Sequence, residues 1–236
     1  RAPNACKADN PAASLRAGRG DQMPHRALIE KRPWLLASLA AGIGYWLAKD
    51  LALPGLFLIA LKGTGVALLA FYALARHKGH DANTIAAVMA FGALGDVLIE
   101  FRLEAGAVAF LIGHLIAIRL YWQHRRANPS GSQRAAAAAL LVLTPLVSFQ
   151  LGGALVAVYA LGLGAMAATA WLSTFSRYRV GLGAVMFVIS DLLIFARMGV
   201  LAQSPLPDLL IWPLYYFGQF LICIGVVGEL RRRAAA

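Results

Sequence analysis

The sequence predicts an all-α polytopic membrane protein with eight transmembrane helices and both termini cytoplasmic. Three observations carry this. Of 236 residues, 60% are hydrophobic and 14% charged, against about 45–50% and about 25% in soluble domains; mean hydropathy is +0.66. The apolar residues gather in long runs, without the alternation of a transmembrane barrel. Lys and Arg fall on alternate sides of those runs, as the positive-inside bias requires.

The chain divides into a polar basic tail (1–33), a single transmembrane domain (34–229) and a basic C-terminal tail (230–236). The first methionine is Met23, and the stretch before it is either native or an upstream extension, so it is set aside from fold reasoning. Trp34 to Ala48 reads as an uncleaved first helix, not a signal peptide, because Lys49-Asp50 and another apolar run follow.

The runs lie near 34–48, 54–75, 83–100, 105–123, 135–150, 152–172, 180–199 and 208–229. Most approach the ~20 residues that span a bilayer. The first and fifth are short and call for tilt or local thinning. Only Gln150-Leu151-Gly152-Gly153 separates the fifth from the sixth, but together they exceed one span and read as two. With the N-terminus inside, 17 Lys and Arg residues fall inside. Lys49, Arg102 and Arg197 fall outside, and Lys62 and Arg119 lie within runs. Glycine pairs such as Gly162/Gly164 and Gly181/Gly183 mark close helix packing. Asn128 to Ser132 is a turn-rich loop between the two halves.

The net charge of +11 suggests nucleic acid at first sight. The charges sit between runs and at the ends, with no basic face interleaved with aromatics, so no nucleic-acid partner is expected. No protein partner is implied either. Cys6 lies in a polar tail and Cys223 in an apolar run, settings too unlike for a bridge or a metal site. No HExxH or comparable zinc spacing occurs, and neither metal nor cofactor is expected.

Polar groups inside the runs carry the functional reading. Counting from the outer ends at ~1.5 Å per residue, Lys62, Asp96, His114, Asp191, Tyr215 and Tyr216 all fall in the outer half of the membrane. Gln219 follows Tyr215 by one turn and shares its face. Each has a plain structural explanation. Lys62 snorkels or pairs with an acid, His114 is a packed histidine, the tyrosines are interface aromatics, and Ser190 is a packing hydroxyl. The aspartates are hardest to dismiss, because a carboxylate in lipid needs a partner or a proton. Two of them with one lysine leave a surplus acid. Close carboxyls resist ionising together, which makes one a proton donor and the other a base. Lys62, Arg102 or His114 is placed to hold an anionic headgroup near the outer surface.

These residues resemble a known family. Leu61-Lys62, Gly95-Asp96, the stretch Phe110-Leu111-Ile112-Gly113-His114-Leu115, Phe187-Val188-Ile189-Ser190-Asp191 and Tyr215-Tyr216-Phe217-Gly218-Gln219 occur in the order and spacing of the YhhN family, which includes lysoplasmalogenases. The resemblance covers about residues 34 to 229. One departure is Gly63, since proline usually follows the family's lysine. The resemblance implies a membrane hydrolase that cleaves the alkenyl ether bond of lysoplasmalogens to a fatty aldehyde and a glycerophospho-base. Its partners would be the lipid bilayer and a lysophospholipid substrate, its setting a bacterial-type inner membrane. Asp96 and Asp191 would then be catalytic, with Lys62, Arg102, His114, Ser190, Tyr215, Tyr216 and Gln219 binding or supporting. The alternative is a transporter or flippase for a lipid or small anion, which also needs buried charge but leaves its substrate unchanged.

Overall fold

The computed structural model describes residues 33–236, so the expected tail lies outside the described residues but for Pro33. The described residues are helical almost throughout. In chain order they form α1 (Pro33–Ala48), α2 (Gly55–Arg76), α3 (His80–Leu98), α4 (Leu103–Gln123), α5 (Gly131–Leu172), a π-helical turn (Arg177–Gly181), α6 (Leu182–Arg197) and α7 (Leu206–Ala234). Six of these stretches are long and apolar enough to cross a membrane, the π-turn counting with α6, and α1 is a shorter apolar helix of 16 residues. Large apolar side chains such as Leu56, Phe71, Leu155 and Val158 point away from the bundle on several helices. Apolar surface so extensive belongs in lipid.

α5 is nominally one helix of 42 residues, but Gly153 breaks it with φ 79° and ψ −166°. That region of backbone space is essentially open only to glycine. A straight helix would hold residues 140 and 164 about 36 Å apart. Instead, a Cβ built on Gly164 would stand 2.7 Å from the Leu140 carbonyl oxygen. α5 is therefore a hairpin with antiparallel arms 131–152 and 154–172. The first arm begins four residues before the apolar run expected at 135. Ser130 Oγ accepts from the Gln133 N–H at 3.3 Å, and Gln133 Oε1 accepts from the Ser130 N–H at 2.7 Å. This reciprocal cap satisfies exposed donors and recruits the polar residues Ser132 to Arg134 into the first turn.

Each helix packs on the next, and α7 closes the bundle against α1, α2, α3 and α6. The α6–α7 crossing is close because two glycines meet. A Cβ on Gly183 would lie 2.6 Å from the Gly218 carbonyl oxygen, and the converse contact would be 2.8 Å. Pro213 cannot donate to the carbonyl of Leu209; the indole of Trp46 donates to it instead, at 3.4 Å. Trp212 Nε1 donates to the Gly42 carbonyl at 2.8 Å and ties α7 to α1.

The two ends of the bundle differ in charge. One end carries the α3–α4 turn, the Gly153 bend and the α6–α7 connection. The other carries Arg76, Lys78, Arg125, Arg126, Arg134, Arg177, Arg179 and Arg231 to Arg233. α7 runs on through those last arginines, so most of the expected C-terminal tail is helix. Arg233 donates to Glu229 at 2.9 Å, to Thr174 at 2.7 Å and to His124 Nδ1 at 3.0 Å. Because Nδ1 must accept there, His124 carries its hydrogen on Nε2 and donates to Asp81 at 2.8 Å.

Candidate functional site: two buried carboxyls

Five helices bring polar side chains to one region below the α3–α4 turn. Asp96 comes from α3, His114 from α4, Tyr159 from the second arm of α5, Ser190 and Asp191 from α6, and Tyr215 and Gln219 from α7. Asp96 is 2% exposed, His114 4%, Asp191 5% and Gln219 3%. Polar groups so buried need internal partners.

The partners are tyrosines. Tyr215 donates to Asp96 Oδ2 at 2.7 Å, with its oxygen 3.3 Å from the Gly92 carbonyl. Tyr159 donates to Asp191 Oδ2 at 2.6 Å. A phenol has one hydrogen, so with that hydrogen given to Asp191, His114 Nε2 is left to donate to the Tyr159 oxygen, at a long 3.4 Å. Each carboxyl is thus held by its own tyrosine and not by the other carboxyl. The two remain in electrostatic reach of one another. Phe187 lies between the two halves, edge-on to Tyr215 at 5.1 Å and to His114 at 5.0 Å between ring centroids.

Beside these groups is an internal cavity lined by Gly92, Phe110, His114, Tyr121, Phe187 and Gln219, among others, with about 10 Å³ open to the centre of a water-sized sphere. That is room for about one water. Gly92 permits this approach, since a Cβ there would stand 2.9 Å from Gln219 Nε2. Tyr121, whose hydroxyl is buried without a hydrogen-bond partner among the described residues, lines the same space.

The remaining residues sort by distance from the carboxyls. Lys62 is paired with Glu100 of the α3–α4 turn, not with an aspartate. It still interacts electrostatically with Asp96 and lies 5.8 Å from the Tyr45 ring centroid. Ser190 donates to the Ile211 carbonyl at 2.9 Å, a bond between α6 and α7. Tyr216 meets Ser38 Oγ at 2.8 Å and stacks on Trp212, on the α1 side of α7. Arg102 is exposed at the start of α4. Neither Tyr216 nor Arg102 contacts the carboxyls. Among the described residues, no three His, Cys, Asp or Glu side chains converge as metal ligands.

Tyr159, Glu100 and Phe187 belong to this region although the sequence reading passes over their side chains. Tyr159 had a usable signal: counted inward from Gly153, it lies at the depth of His114 and Asp191. A lone tyrosine in a run is easily taken for a packing residue. Glu100 gives no such signal, since its pairing with Lys62 depends on how α2 and α3 cross.

Residues 57–226 match the model of the YhhN family. No curated protein and no solved structure gives a significant match.

Proposed function

The chain belongs to the YhhN family, and from that premise we propose that it is a membrane-embedded hydrolase of lysoplasmalogens. In this reading all eight apolar segments cross the bilayer, the two arms of α5 separately, with both termini cytoplasmic in a bacterial-type inner membrane. The arginine-rich end then faces the cytoplasm, and the carboxyls lie toward the outer surface.

The observation that carries the reading is the pair of buried carboxyls, each with a phenol donor; the nearby cavity of one water's size is lined by His114 and Gln219 and not by the carboxyls themselves. Hydrolysis of R–CH=CH–O–R′ needs little more. One carboxylic acid gives its proton to the β-carbon, and the C=C pair forms the new C–H bond. The cation, R–CH2–CH=O⁺–R′, is stabilised by the other carboxylate. That carboxylate takes a proton from a water as the water adds. The hemiacetal then collapses to R–CH2–CHO and HO–R′, and one water is consumed overall. Asp96 and Asp191 share these two roles. Tyr215 and Tyr159 orient them, and His114 supports Tyr159.

The surroundings suggest how the amphiphile would lie. The ion pair of Lys62 and Glu100 stands on the Asp96 side toward the outer turn, with Lys62 in electrostatic reach of Asp96. Aromatic groups, Phe110, Phe187 and His114, lie deeper. The phosphate end would therefore face Lys62 and the alkenyl chain the aromatics. The cavity does not hold a lipid, so α2 and the α3–α4 turn must part from their neighbours for the ether to enter.

The test is mass spectrometry of a lipid panel incubated with purified protein. Release of fatty aldehyde and glycerophospho-base from 1-alkenyl lysolipid, but not from the 1-alkyl analogue, supports the reading. Recovery of every lipid intact would sink it.

A further inference from the structure

We propose that the arginine-rich end holds a site for the phosphate headgroup of an anionic membrane phospholipid, between the α4–α5 loop and the base of the α5 hairpin. A pocket of about 330 Å³ opens there. Its polar wall is Arg125, Arg126 and Arg134, and its apolar wall includes Trp122 and Leu172.

The charge count is the first argument. None of the three guanidinium groups has a carboxylate partner among the described residues. Their bonds go to carbonyls: Arg125 to Trp122 at 3.4 Å, Arg126 to Ser173 at 2.8 Å and Phe175 at 3.4 Å, and Arg134 to Pro129 at 3.1 Å. The described acids at this end, Asp81 and Glu229, are already engaged by His124 and by Arg232 and Arg233. Three cations around one concavity therefore lack an anion among the described residues.

Geometry is the second. The carbonyl bonds hold each guanidinium at the pocket and leave other N–H groups to bind a tetrahedral anion. α5 starts at the pocket, and its positive dipole end adds to the field. Trp122 is exposed and carries Arg125 over its ring at 5.2 Å. An interfacial tryptophan beside the arginines sets the pocket at headgroup depth. That favours a lipid phosphate over a free one, with the upper acyl chain along Trp122 and Leu172.

Arg126 braces the segment after α5, so the test spares it and uses the double variant Arg125→Gln/Arg134→Gln. Native mass spectrometry would follow lipid retained by protein taken from bilayers of phosphatidylglycerol and phosphatidylcholine. Wild type is expected to keep phosphatidylglycerol selectively, and the double variant about thirtyfold less, given the worth of each of two basic residues at an anionic surface. A control pair at the same end, Arg177→Gln/Arg231→Gln, should retain it as wild type does. Inorganic phosphate, added alone, should not displace the lipid at millimolar concentration. Equal retention by wild type and double variant, equal loss in the control pair, retention of phosphatidylcholine, or displacement by inorganic phosphate would each overturn the proposal.

Discussion

The two carboxyl neighbourhoods are built alike and charged differently. Asp96 and Asp191 each accept from one tyrosine at 2.7 and 2.6 Å. Around Asp96, however, ionic side chains continue outward through Lys62 to Glu100 in the α3–α4 turn. Around Asp191 the neighbours are neutral: Tyr159, then His114, then Phe187. The same hydrogen-bonded unit thus faces a charged exit on one side and an aromatic interior on the other. An amphiphile has that same division between headgroup and chain. What the halves share should govern the chemistry, and what separates them should govern binding.

The largest effect should come from the shared feature. Asp96→Asn and Asp191→Asn are each expected to lower the rate of aldehyde release by about 10²- to 10⁴-fold, the range of a positioned proton-transfer group. Full activity in either variant, shown folded by gel filtration, would break the symmetry of the pair.

Next come the tyrosines. Tyr159→Phe and Tyr215→Phe each remove the donor to a buried carboxyl. Leaving such a group unsatisfied costs about 1–3 kcal/mol, to be read from thermal unfolding in detergent. Tyr159→Phe should also release His114, so it is expected to reduce activity more than Tyr215→Phe does.

A smaller effect should expose the asymmetry. Lys62→Met removes the cation on the Asp96 side only. The expected result is a KM raised by about three- to tenfold for a phosphate-bearing lysolipid, from loss of a partly screened ion contact, with kcat little changed. A fall in kcat alone would place Lys62 in the chemistry and not in headgroup binding.

The smallest effect belongs to Ser190, beside Asp191 in sequence but bonded to the Ile211 carbonyl. Ser190→Ala should cost about 0.5–1.5 kcal/mol of stability and leave the rate of aldehyde release unchanged.

The helices were legible in the sequence because lipid demands long apolar runs, and all the expected runs overlap observed helices. Their ends were less legible. At Ser130 a cap draws polar residues into a helix, and at Gly153 the break depends on one backbone angle. For the site, burial of Asp96, His114, Asp191 and Gln219 could be expected from the cost of polar groups in lipid. Which groups would meet could not. Lys62 chooses Glu100, and Tyr159 chooses Asp191, through the rotation of α2 and of the second α5 arm about their axes. Apolar runs with small residues on several faces do not define that rotation.

The most direct test of the aspartate pair is where the solvent proton goes. Purified protein would be given 1-alkenyl lysolipid in D2O, and the aldehyde reduced at once and analysed by mass spectrometry. Protonation of the enol-ether carbon by the pair requires wild type to yield aldehyde with one deuterium at carbon 2, and Asp96→Asn and Asp191→Asn to yield almost none. Aldehyde without that deuterium, or labelled aldehyde at wild-type rate from both variants, would contradict the account.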